Sequence, residues 1–155
     1  MAFHRNAMLA LAVTFATMPA AAQPVADRAP ATLRAETEDE NLQWAASVSV
    51  VNDLRTEPDA AKLFGVTGGD PAMNGLYTYL AFYLSPGDGW RVFKIGDFLE
   101  YRIVSQRPGR VVLAIQESVM DRNSNISSRR RTLTMSWTRA RDGSPPTTVR
   151  VVGSR

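Results

Sequence analysis

Between Leu76 and Val152 the chain is built of short stretches of alternating polarity separated by turn residues, and this pattern restricts the fold more than any other feature. "LYTYLAFYL" closes at Ser85-Pro86-Gly87-Asp88-Gly89, "WRVFKI" at Gly96-Asp97 and "FLEYRIVSQ" at Pro108-Gly109. "RVVLAIQESVM" and "TLTMSWT" flank the polar loop Asp121 to Arg130, and "TTVRVV" follows Ser144-Pro145-Pro146. Six short strands at this spacing predict an antiparallel meander.

Neighbouring residues of a strand point to opposite faces, so the register of each hairpin decides which side chains share a core. A three-residue loop, Pro108 to Arg110, sets Arg107 opposite Val111 and Ile103 opposite Ile115. Leu99, Tyr101, Ile103, Val111, Leu113 and Ile115 then share one apolar face, which Leu133, Met135, Trp137, Val149 and Val151 continue. Glu100, Arg102, Gln116 and Ser118 fall on the other. Only a loop of odd length keeps the apolar set together, and five residues remain open because the glycine is not where a three-residue loop most wants it. The strand Leu76–Leu84 is apolar on both sides, with Leu80, Phe82 and Leu84 facing one way and Tyr77, Tyr79, Ala81 and Tyr83 the other, as expected of a strand covered on both faces.

Upstream, the pattern changes. Thr37 and Glu40 have capping-box spacing, Glu38 to Glu40 put negative charge in a first turn, and Arg55 puts positive charge in a last one. Trp44, Val48, Val51 and Leu54 then recur at helical spacing, although Trp44, Ala46, Val48 and Val50 also alternate as a strand would. Pro58 ends this helix, and "PDAAKLFG" predicts a second, short one up to Gly65. The expected fold class is α+β: an N-terminal helix and a short second helix packed on a curved antiparallel sheet of six strands, a half-barrel with the Trp44 helix as its lid.

The first residues are excluded from that fold. Arg5 lies in a short positive segment, Ala7 to Met18 is an apolar run, and Ala20-Ala21-Ala22 supplies the small residues that a signal peptidase reads, so cleavage is expected between Ala22 and Gln23. A twelve-residue run is too short to span a bilayer that needs about 20 helical residues. The expected organisation is a signal peptide over 1–22, a flexible mature N-terminus over 23–36 and a single α+β domain over 37–155, exported to a periplasmic or extracellular location without a membrane span.

Removal of the leader would take the single histidine, His4, with it, and the chain has no cysteine. What remains holds no Ser-His or Cys-His pair, no imidazole base and no conventional zinc or copper site. The expected molecule is therefore a non-catalytic ligand- or partner-binding module of the cell envelope, with no cofactor and no metal. Two alternatives stay open: a small enzyme with a helix-lidded sheet that uses Tyr and Asp/Glu, and a structural accessory of an envelope assembly.

Residues 27 to 59 carry eight acids and three bases, net −5, and residues 60 to 155 carry seven acids and fourteen bases, net +7. The basic half includes Arg129, Arg130 and Arg131. In a strand Arg130 joins Thr132 and Thr134 on the polar side, whereas Arg129 and Arg131 precede Leu133 on the apolar side and stay wet only at the rim. These three arginines are the candidate contact with an envelope protein or acidic ligand. No aromatic residue accompanies them on the polar side, which argues against nucleic acid. Tyr77, Tyr79, Tyr83 and Glu100 are the candidate ligand-binding residues. Asp121 to Asn125 has oxygens at calcium-loop spacing, but Ile126 and Thr132 stand where that loop needs Gly and Glu, so turn chemistry explains it.

Overall fold

The computed structural model describes residues 30–36, 42, 47–56, 59–68 and 74–154. Nine strands and no helical element lie among them: β1 (Ala31–Arg34), β2 (Ser47–Thr56), β3 (Asp59–Thr67), β4 (Leu76–Ser85), β5 (Gly89–Phe98), β6 (Glu100–Arg107), β7 (Arg110–Met120), β8 (Ile126–Ser136) and β9 (Thr148–Gly153). They form two antiparallel sheets, a five-stranded one in the order β1-β9-β8-β7-β6 and a four-stranded one in the order β2-β3-β4-β5.

The expected α+β class is thereby corrected. Ser47 to Thr56 and Asp59 to Thr67 form a hairpin, β2 paired with β3, where two helices were expected. Val48, Val50 and Val51 are β-branched and lose rotamer freedom in a helix. Along β3, Ala61 and Leu63 face the core while Lys62 and Phe64 pair on the opposite side with Ala81 and Tyr79, a period of two. The acids and Trp44 that suggested the first helix's start, and the signal peptide, lie outside the described residues. Residues 31–34, within the stretch expected to be a flexible arm, pair along β9 from Ala31↔Val151 to Arg34↔Thr148.

The six strands foreseen from Leu76 onward are all present, but they divide between the sheets. The division falls at Leu99, a single residue between β5 and β6 whose amide donates to the Gln116 carbonyl at 2.8 Å. The second sheet, rather than a helical lid, closes the half-barrel.

The β6–β7 register differs in one instructive way from the expected one. Arg107 pairs with Arg110, so the loop has two residues, Pro108 and Gly109, and Ile103 faces Leu113. Gly109 has φ 71, the left-handed conformation that the residue after proline takes in a type II turn. An even loop alone would scatter the apolar side chains over both faces. A bulge between Ile103 and Ser105 restores the parity, so Tyr101 faces Ile115 and the expected apolar face survives.

One core fills the space between the sheets. Val111, Leu113, Leu133, Met135, Val149 and Val151 of the larger sheet meet Leu63, Leu80, Phe82 and Phe93 of the smaller. Phe82 stands edge-on to both Trp137, at 5.1 Å between ring centres, and Phe93, at 5.9 Å. The Glu36 amide donates to the Val92 carbonyl at 2.7 Å, which joins β1 to β5, and Tyr101 bridges β6 to β2 through Asn52. Arg91 Nη1 donates to the carbonyls of Pro145 and Pro146 at 2.8 and 3.0 Å, tying the β8–β9 connection to the smaller sheet.

Candidate functional site

Strand parity in the larger sheet turns the odd residues from Val111 to Glu117 and from Arg129 to Met135 inward and the even ones between them outward, as the alternating burial shows. The outward rows are set by register: Glu100, Gln116 and Arg130 lie side by side, and Arg102, Ala114 and Thr132 form the next row. Ala114 projects only a methyl group among long neighbours. A hollow of ≈ 480 Å³ results, floored at Ala114 and walled by Glu100, Arg102, Gln116 and Arg130. The Gln116 amide is used in both directions: its oxygen accepts from Arg130 Nε at 3.0 Å and its nitrogen donates to Ser128 Oγ at 2.7 Å. That chain holds the Arg130 side chain at its Nε, and Arg130 lines the hollow.

The triple arginine therefore splits between the two faces of the sheet although it is contiguous in sequence. Arg129 and Arg131 turn inward to Glu117. Arg129 Nη2 lies 2.6 Å and Arg131 Nε 2.8 Å from the same carboxylate oxygen, Glu117 Oε1. Arg131 Nη2 reaches Glu117 Oε2 at 3.2 Å. Burial opposes ionisation of this carboxyl, but hydrogen bonds and charge from Arg131 and Arg129 outweigh it and hold its pKa below the usual carboxylate range. The Arg131 side chain is 4% exposed and that of Glu117 7%, whereas that of Arg129 is 40% exposed. Arg131 is thus neutralised in the interior, not wetted at a rim as expected. Its Nη1 is buried and makes no hydrogen bond among the described residues. Glu117 was legible as an odd-numbered acid continuing the face of Val111, Leu113 and Ile115, and sequence reasoning passed over it.

Tyr77, Tyr79 and Tyr83 lie on the outer face of the other sheet, remote from Glu100 in the topology. Tyr79 stacks on Phe64 at 5.3 Å and is fully buried. Tyr83 tilts against Trp90 at 5.2 Å. Two lysines complete this face: Lys94 Nζ lies 5.1 Å from the Tyr77 ring centre, and Lys62 Nζ lies 5.9 Å from that of Trp90 while pairing with Asp53 at 2.6 Å. Each ring is thereby engaged by a neighbour in the same sheet. The tyrosine that does adjoin Glu100 is Tyr101, whose hydroxyl donates to Asn52 Oδ1 at 3.0 Å. Burial pushes its phenol up to about 12.

The loop of Asp121 to Asn125 uses its oxygens internally. Asp121 accepts from the Asn123 and Asn125 amides at 2.8 and 2.9 Å and from Asn125 Nδ2 at 3.0 Å, and Ser124 takes φ 63. Hydrogen bonds from Asn125, side chain first, hold the exposed Asp121 carboxyl below its usual value. These are the bonds of an Asx-type turn. The Gly68 to Pro71 segment, which resembled an anion-binding turn in sequence, lies mostly outside the described residues.

Comparison with known protein families, with characterised proteins and with solved structures yields no match to this chain. Of the expected site residues, the fold brings Glu100 and Arg130 to one hollow and adds Arg102 and Gln116. It sends Arg129 and Arg131 to Glu117, and the three tyrosines to the opposite side of the sandwich.

Proposed function

We propose that this protein is an exported, non-catalytic binding domain that takes an anionic group of a ligand or partner in the Ala114 hollow. The supporting observation is that two outward arginines, Arg102 and Arg130, line a hollow at a small residue of the sheet face, with Gln116 orienting one of them and Glu100 as the one acid in the lining. Guanidinium forks suit phosphate and carboxylate oxygens through paired hydrogen bonds, and an exposed charged group of this kind is available without any rearrangement of the sheet. No strained backbone, nucleophile–base pair or cluster of metal-ligating side chains accompanies the hollow among the described residues.

Titration calorimetry of inorganic pyrophosphate into the full chain tests the proposal. A saturable heat at low salt is expected, weakened about tenfold by Arg102→Gln or Arg130→Gln, the loss of one charge-assisted hydrogen-bonding group. Equal binding by wild type and the double variant overturns it.

A further inference from the structure

The outer face of the larger sheet extends well beyond the hollow, and its chemistry is one-sided. Arg34, Arg102, Arg107, Arg110, Arg130 and Arg150 all lie exposed on it, against one acid, Glu100. None of the six forms an ion pair among the described residues. At the far end of the same face, Met120 and Ile126 pair across the β7–β8 hairpin, each 55% exposed. At about 3.4 Å per residue the face runs roughly 34 Å from Arg110 to that tip. Both chains at the tip are held by the hydrogen-bonded Asp121–Asn125 turn.

We infer that this face docks on an anionic lipid surface, with the arginines on phosphate headgroups and the Met120–Ile126 tip inserted among the acyl chains. The inference rests on the proposed anion-binding role of the hollow and extends it to the whole face. Charge complementarity selects a negative plane, and an exposed apolar pair beside cations is the combination that interfacial anchors use. A nucleic acid fits less well, because the face carries no aromatic ring for base stacking among the described residues and gives Met120 and Ile126 nothing to do.

The test uses the full chain with extruded vesicles of phosphatidylcholine alone and of phosphatidylcholine with about one third phosphatidylglycerol, read by co-sedimentation, and with a short DNA duplex in parallel. Binding only to the anionic vesicles, abolished at about 1 M salt where the screening length falls to roughly 3 Å, is expected. Arg110→Gln and Arg150→Gln, outside the hollow, should each weaken vesicle partition about fivefold and leave pyrophosphate binding unchanged. Met120→Ser with Ile126→Ser should weaken it about tenfold, also without effect on pyrophosphate. Thermal melts of these surface variants should match wild type. Pyrophosphate binding without vesicle binding overturns the lipid inference and leaves the anion site standing, whereas loss of both overturns both. Tighter binding to the duplex than to anionic vesicles, or vesicle binding indifferent to the tip variant, likewise overturns the inference.

Discussion

Replacing Glu117 by Gln should be the most damaging isosteric change in the sandwich. The substitution keeps volume and shape but removes the only carboxylate that pairs with these two guanidinium groups among the described residues. The Arg131 side chain, 4% exposed, is left charged in the interior with one nitrogen already unpartnered, while Arg129 is 40% exposed and swings into water at little cost. Breaking a buried pair by removing one partner costs about 3–5 kcal/mol, all of it here assigned to Arg131. At about 4 °C per kcal/mol for a domain of this size, the melting midpoint should fall by roughly 12–20 °C at neutral pH. The sign of the pH dependence follows from the depressed Glu117 pKa: the carboxylate's contribution is fully present above its unfolded value of about 4.3 and is lost as pH falls through the lower folded value. Circular dichroism melts of the two proteins should therefore diverge at neutral pH and draw together as the pH falls below the usual carboxylate range. A second variant, Glu117→Leu with Arg131→Met, should recover most of the loss, since removing both charges leaves nothing stranded. A Glu117→Gln protein melting within about 2 °C of wild type at neutral pH refutes the reasoning.

Three further outcomes follow from the geometry. Tyr101, its phenol pushed up to about 12, should ionise well above the usual tyrosine range in an ultraviolet titration, and it contributes stability that is complete below about pH 10 and lost as pH rises toward the folded value. Tyr101→Phe, which strands Asn52 Oδ1, should lower the urea midpoint by the equivalent of about 1 kcal/mol with an unchanged m-value. Asn74 sits at φ 68 and clamps the Ser118 backbone, donating to its carbonyl at 3.0 Å and accepting from its amide at 2.6 Å. Asn74→Ala should cost about 2–3 kcal/mol in the same assay and Asn74→Gly about 1 less, because glycine relieves the backbone part alone. Gly109→Ala forces a side chain into φ +71 and brings its Cβ to 2.9 Å from the Trp137 carbonyl. The expected loss is about 2 kcal/mol, and a fully stable variant would contradict the turn described for Pro108-Gly109.

The strands from Leu76 onward were legible because period-two alternation and turn residues agree there, and neither depends on a distant partner. The β2–β3 hairpin was not, because its apolar residues satisfy both periods: Val48, Val51 and Leu54 fit a helical face, and the nearby acids and Arg55 mimic helix ends. Tertiary pairing with β4 decided between them, and that contact is absent from any local window. The odd face of β6 and β7 was legible as a set, while the means of keeping it together, a bulge at Val104 in place of an odd loop, was not, since alternation constrains parity but not where an extra residue is absorbed. At the site, the polar side of Glu100, Arg102 and Gln116 and the outward turn of Arg130 followed from parity alone. Their convergence on Ala114 needed the β6–β7 and β7–β8 registers together. The Glu117 triad needed the length of the Asp121–Asn125 loop, which sets Glu117 opposite Arg129.

The pairing of β1 with β9 places the earliest described strand and the last in contact along one edge of the larger sheet. Nascent hairpins can form locally as they emerge, but that edge stays open until the carboxyl-terminal strand has left the ribosome and found its partner across more than a hundred residues of separation. Long-range closure of this kind is slow. A polypeptide that delays its final stitch keeps a raw border for longer, and removing β1 should expose β9 as a sticky margin for neighbouring molecules.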